Sequence, residues 1–279
     1  MNCQPLSRTS GYVSSDGEDI YFERTGEGPP VVLCHGLGGN HAIWWRQIET
    51  LATAHDVITW DQRGFGNSTA RTGEIGFPAA RRDLHAILEH LGLDALSLVG
   101  QSMGGWTALG YAQAHPKRIR SLILSATLAG ANRKNVDVLI KEEAGRNRMH
   151  RRQHPVLSAE FCGKYPNLGV LYHQISGFRT GPDSAGVLKK MAEDRLDLLA
   201  LEKISVPTLV LMAARDEFCP PEAMWDVVER LPNGRLRVIP GNHSVYYEDP
   251  ATWNDAVLSF LRLKHCGTPS PGCPTDGFR

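Results

Sequence analysis

The sequence predicts an α/β fold with a mostly parallel sheet, and three observations carry the prediction. Short apolar runs rich in β-branched residues alternate with longer segments of helical spacing. Several of those runs end at glycine-rich turns, where βα units change direction. No apolar run approaches the roughly eighteen residues of a membrane helix.

Taken in order, residues 19–23 alternate like an early antiparallel strand, and residues 31–34 read as a buried strand ending at His35-Gly36. Residues 43–53 form a helical stretch carrying Trp44 and Trp45, followed by a strand at 57–60 and the loop Asp61-Gln62-Arg63-Gly64-Phe65-Gly66. Residues 77–91 have helical periodicity, with Pro78 in the first turn and Gly92 placed as a C-terminal cap. A strand at 96–99, a helix at 103–114 and a strand at 119–125 follow. The rhythm resumes with a strand at 208–212, a helix at 221–231, a strand at 236–239 and a last helix at 250–264.

Between residues 129 and 205 the strand–helix alternation stops, over a length too great for an ordinary connection. The expected organisation is a core of residues 11–128 and 206–264, a helical cap at 129–205, and a disordered Pro- and Gly-rich tail at 265–279. Lys plus Arg and Asp plus Glu are equal at 30 each, so neither nucleic acid nor a membrane surface is an expected partner. The basic residues Lys141, Arg146, Arg148, Arg151 and Arg152 are expected on a solvated helix face. The six cysteines lack zinc-site or disulfide-framework spacing, and Met1 to Gly11 carry no apolar targeting core. Reduced thiols and a cytoplasmic location are expected, although Cys266 and Cys273 are close enough to pair across a short loop.

Gly100-Gln101-Ser102-Met103-Gly104 matches G-x-S-x-G, with a strand before it and a helix after it. The glycines allow a turn tight enough to lift the Ser102 hydroxyl clear of the sheet. A serine needs a base, and the base needs an orienting acid. Asp216 follows one later strand and His243 follows the next, so all three residues leave the same sheet edge. Glu217 is the alternative acid and His35 the alternative base; Asp249 reads as a helix-end residue. Backbone N–H groups of Leu37, in His35-Gly36-Leu37-Gly38-Gly39, and of Met103 are the candidate oxyanion donors. The loop from Asp61 to Ser68 reads as structural, and Trp44, Trp45, Trp60 and Trp106 as core, with Trp106 close enough to the elbow to matter.

With these motifs in this order, residues 11–264 resemble the α/β-hydrolase superfamily, in the group with a short helical cap. The resemblance implies an eight-stranded sheet flanked by helices and a Ser102–His243–Asp216 triad. Ser102 departs from the Asp nucleophile of epoxide hydrolases and haloalkane dehalogenases, and from the Cys of dienelactone hydrolases. Leu37 and Ser244 depart from the Gly-rich oxyanion loop and the Trp after histidine typical of meta-cleavage C–C hydrolases. The resemblance therefore implies a cofactor-free, metal-free esterase or lactonase acting on a small to medium apolar substrate. C–C hydrolysis and ligand sensing stand as alternatives. Gly36, Trp106, Phe161, Tyr165, Tyr172, Phe178 and Val245 are the expected substrate contacts, and Leu168 an added wall of the pocket. The assembly is expected to be a monomer or a homodimer.

Overall fold

A computed structural model describes residues 6–128, 154–178, 184–193 and 198–262. Eight strands form one sheet in the order β1-β2-β4-β3-β5-β6-β7-β8. They are β1 Arg8–Ser15, β2 Glu18–Thr25, β3 Pro30–Cys34, β4 Asp56–Trp60, β5 Leu96–Gln101, β6 Ile119–Ser125, β7 Thr208–Ala213 and β8 Gly234–Ile239. The pairs β1–β2 and β2–β4 are antiparallel, and all the others are parallel. Strands β4, β5 and β7 are buried along their whole length, as continuous apolar runs must be when helices cover both faces.

One face is covered by α2 Phe77–His90, α3 Met103–Ala114 and α7 Pro221–Arg230, whose apolar side chains share a core with Val32, Leu98 and Val210. The other carries α1 Trp45–Leu51 and α9 Pro250–Arg262, packed around Leu33, Val99 and Leu209. Helix α2 ends where Gly92 adopts φ 64°, a left-handed value that costs glycine little. There the Leu93 N–H reaches Leu88 O at 2.9 Å and the Gly92 N–H reaches Glu89 O at 3.1 Å, satisfying the last-turn carbonyls.

Between β6 and β7 the described residues form α4 Ala159–Lys164, α5 Pro166–Ser176 and α6 Ser184–Glu193. Ser158 caps α4 by accepting from the Phe161 N–H. Phe161, Tyr172 and Ile175 join the core that holds Trp44, Tyr246, Tyr247 and Trp253. A short helix, α8 Val245–Glu248, anchors this layer: Glu248 accepts from the Ser158 N–H at 2.6 Å and from its hydroxyl at 2.8 Å. Among the described residues no helix is long and apolar enough to cross a membrane.

Strand β1 and helix α8 are absent from the pattern read in the sequence. Five of the eight residues of β1 face solvent at the sheet edge, and its serines and glycine give no apolar alternation. Trp45 is a correction: it is 41% exposed, resting at the start of α1 with Arg46 above its ring, whereas Trp44 is fully buried. The predicted basic helix face, Cys266, Cys273 and the tail lie outside the described residues.

Candidate active site

The chain leaves β5 at Gln101 and enters α3 at Met103, so Ser102 alone makes the turn. It does so at φ 51°, a conformation that costs a non-glycine residue free energy and persists only when its surroundings enforce it. Enforcement comes from three hydrogen bonds: the Ser102 N–H donates to Ser125 O, and Ser102 O accepts from the Gly105 N–H and from the Thr127 hydroxyl at 2.6 Å. Close backbone approach does the rest. A Cβ on Gly104 would lie 2.0 Å from Cys34 O, the end of β3, so only glycine lets α3 begin there.

That approach brings the β3 loop to the serine. A Cβ on Gly36 would stand 3.1 Å from Ser102 Cβ, which places Gly36-Leu37 beside the elbow. Among the described residues the N–H groups of Leu37 and Met103 have no acceptor. The Met103 N–H opens α3, where unpaired donors and the helix dipole favour negative charge.

Asp216 and His243 come together from the ends of β7 and β8. The Asp216 carboxylate accepts from the Phe218 and Cys219 N–H groups, both at 2.9 Å, and lies 2.9 and 3.0 Å from His243 Nδ1. Both side chains are buried. A carboxylate at Nδ1 fixes the proton there, leaving the Nε2 lone pair free to accept. Nε2 faces the Gln101 amide nitrogen at 3.5 Å, and the Ser102 hydroxyl makes no hydrogen bond among the described residues.

Cys219 Sγ lies within 4.8 Å of the ligand-type atoms of Asp216 and His243. Burial, reinforced by the Asp216 charge, pushes its thiol well above the ordinary range, so the sulfur stays protonated. With Asp216 already occupied by two backbone donors and the imidazole, this cluster is a hydrogen-bonded pair beside a buried thiol.

The alternatives are placed elsewhere. Glu217 is exposed and the Nδ1 partner is Asp216. His35 is buried, with Nδ1 2.8 Å from Gly36 O and Nε2 accepting from the Gln62 N–H; burial pulls it down to about 4. It organises the glycine loop. Asp249 accepts from the Thr252 N–H at the start of α9. Asp61 accepts from the Asn67 N–H within its own loop and ties that loop to the turn before α1 by accepting from the His41 N–H.

The structure places the expected substrate contacts as follows. A cavity of about 320 Å³ adjoins His243, but its walls come from residues 155–159, Glu217, Phe218 and Asn242. None of the predicted aromatics lines it. Phe161 packs on Tyr165 and Tyr247, and Tyr172 is buried with its hydroxyl 3.2 Å from Ser244 Oγ and 3.3 Å from Tyr246 Oη. Leu168 supplies its carbonyl to the Tyr247 hydroxyl. Tyr165 and Phe178 are 43% and 63% exposed. Val245 is buried against Gly241, and Trp106 stacks on Phe77 at 4.7 Å within the core. A helical layer needs apolar side chains to dock on the core beneath it, and these residues serve that need or face solvent.

Sequence reasoning passed over Gln101 and Phe218, whose ring lies 5.0 Å from the imidazole. A polar residue directly before the elbow serine was the available signal for the first.

An elbow serine, a glycine loop and a buried His–Asp pair at the carboxyl edge of a mostly parallel sheet define a class of α/β hydrolases. The model of the alpha/beta hydrolase fold family matches residues 29–152. A protein of Variovorax paradoxus assigned as the carbamate hydrolase RutD is 30% identical over 270 residues, covering 90% of this chain and 99% of its own. The 2-hydroxy-6-oxo-6-(2'-aminophenyl)hexa-2,4-dienoic acid hydrolase of Metapseudomonas resinovorans is 26% identical, covering 90% of each. A thermophilic esterase from Thermogutta terrifontis superimposes with a TM-score of 0.75 at 29% identity, over 93% of this chain and all of that one. The chain belongs to the alpha/beta hydrolase fold family.

Proposed function

We propose that this protein is a serine hydrolase that cleaves a carboxylic ester or lactone through an acyl-enzyme intermediate. The observation that carries the reading is the buried Asp216–His243 pair presented at the turn that strains Ser102. In this reading His243 Nε2 takes the Ser102 proton as Oγ attacks the carbonyl carbon. Asp216 stabilises the imidazolium, and the Leu37 and Met103 N–H groups receive the oxyanion. The imidazolium then protonates the leaving alcohol. Water attacks the acyl carbon, giving one proton to His243, which returns it to Oγ as the acid departs. Residues 129–205 act as a cap, of which residues 155–159, tied to α8 through Ser158 and Glu248, border the cavity at His243.

The test compares wild type with Ser102→Ala on p-nitrophenyl esters of short to medium chain, lactones, an aryl carbamate and a vinylogous keto acid. Turnover of esters or lactones that falls about a thousandfold or more in the variant is the expected result. No turnover of any ester or lactone by folded wild type sinks the reading. The Metapseudomonas relative favours C–C hydrolysis as a second reading, tested by the keto acid in the same panel.

A further inference from the structure

Buried amides are normally satisfied at both ends. Gln62 is: its amide donates to His35 O at 2.7 Å and its oxygen accepts from the Thr107 hydroxyl at 2.7 Å. Gln101, 3% exposed and adjacent to Ser102, differs. Its nitrogen makes one long contact, 3.5 Å from His243 Nε2, and its oxygen accepts no hydrogen bond among the described residues. A Cβ on Gly36 would fall 2.2 Å from that oxygen, so the glycine is what leaves room for the amide. The amide nitrogen faces His243 Nε2, the nitrogen that acts as the base in the reading above.

We propose that Gln101 is a positioning residue that orients the water attacking the acyl-enzyme. The inference rests on the acyl-enzyme reading above. A water activated at Nε2 surrenders one O–H proton to the imidazole and still carries a second O–H. If that second proton is unconstrained, the oxygen lone pair spends most of its time turned away from the acyl carbon. The same amide whose nitrogen lies 3.5 Å from Nε2 carries in its oxygen, on the Gly36 side, an acceptor with no partner among the described residues, able to take this second O–H and turn the lone pair toward the carbonyl. The C–O bond to water then forms, one proton passes to Nε2, and the C–Oγ bond breaks as Oγ recovers that proton. The second O–H stays on the product acid. A glutamine orienting an attacking water is a known device of hydrolytic sites.

Methanol separates this role from a structural one, because it has a single O–H and nothing left to offer Gln101. Acyl-enzyme from p-nitrophenyl acetate partitions between water and methanol, and the ratio of methyl acetate to acetate does not depend on how much enzyme is folded. Gln101→Met is expected to raise that ratio about tenfold at fixed methanol. In stopped-flow bursts it slows deacylation by a similar factor and acylation by less than about threefold. Gln101→Glu, which keeps an acceptor, restores most of the deacylation rate. Its acid limb moves to higher pH, because a carboxylate beside the imidazole favours the imidazolium.

An unchanged partition ratio in Gln101→Met, or equal slowing of both steps, overturns the proposal, as does a Glu variant no better than Met. If wild type shows neither a burst nor methyl ester, the acyl-enzyme reading itself fails, and the role of Gln101 with it.

Discussion

Replacing Asp216 by asparagine isolates what the carboxylate does, because the change is isosteric and its consequence follows from four distances. One carboxylate oxygen accepts from the Phe218 and Cys219 N–H groups at 2.9 Å, and both oxygens lie within 3.0 Å of His243 Nδ1. In the variant the two backbone donors require the amide oxygen on their side. The amide NH2 then replaces the nearer oxygen, 2.9 Å from Nδ1, where a donor now opposes the Nδ1 proton. The imidazole answers by moving its proton to Nε2, the position that must accept from Ser102. Stabilisation of the imidazolium is lost in the same stroke. Together these are worth about 10⁴ in kcat, or about 5.5 kcal/mol at roughly 1.4 kcal/mol per tenfold. The assay is kcat/KM for a p-nitrophenyl ester beside a melting curve, since the fold should tolerate the change. Glu217→Gln, altering the exposed neighbour, is expected to stay within about twofold. If Asp216→Asn retains more than a tenth of wild-type activity while Glu217→Gln loses more, the assignment of the acid is wrong.

Three further predictions concern the frame around the site. Gly104→Ala puts a Cβ 2.0 Å from the Cys34 carbonyl of β3, which cannot yield, and should cost about 3 kcal/mol by denaturant unfolding. The Arg63–Asp83 pair is buried on both sides, with contacts of 2.5 and 2.9 Å. Asp83→Ala therefore leaves the buried guanidinium only the longer contacts to Asp16 and Glu74, both at 3.8 Å, and should cost about 3 kcal/mol in the same experiment. Burial alone would raise the Glu18 carboxyl, but hydrogen bonds from the Thr69 and Thr72 hydroxyls and the Arg71 and Thr72 N–H groups hold it at about 2. Its folded value is depressed, so its stabilisation is full above the unfolded carboxylate range near 4.5 and fades as pH falls toward 2. Melting curves over that window should flatten in Glu18→Gln; an unchanged slope would contradict the assignment.

Much of this architecture was legible because the physics behind it is local. The strand and helix flanking Ser102 appear where the β-branched run and the glycines place them, and α3 and β6 match the expected limits. Asp216 and His243 were legible from topology: parallel strands deliver their carboxyl ends to one edge. Strand β1 was not, because an edge strand that pairs mainly through its backbone needs no apolar alternation. Helix α8 is four residues, three of them buried, and helical periodicity has no meaning over one turn. The surroundings of the expected pocket residues were illegible for a related reason. Tyr172 and Phe161 are aromatic because the layer they belong to must dock on Tyr246 and Tyr247, and residue type alone does not separate docking from substrate contact. Gln101 escaped because a variable position of the motif acquires meaning only once His243 is seen beside it.

The most direct test of the central claim is to trap the acyl group. Wild type mixed with p-nitrophenyl acetate, acid-quenched within the burst and digested, should carry one added acetyl mass on the peptide containing Ser102. That mass should be absent in Ser102→Ala and should decay at the steady-state turnover rate. An enzyme that turns the ester over with Ser102 unmodified, or with the acetyl group on another residue, would contradict the account.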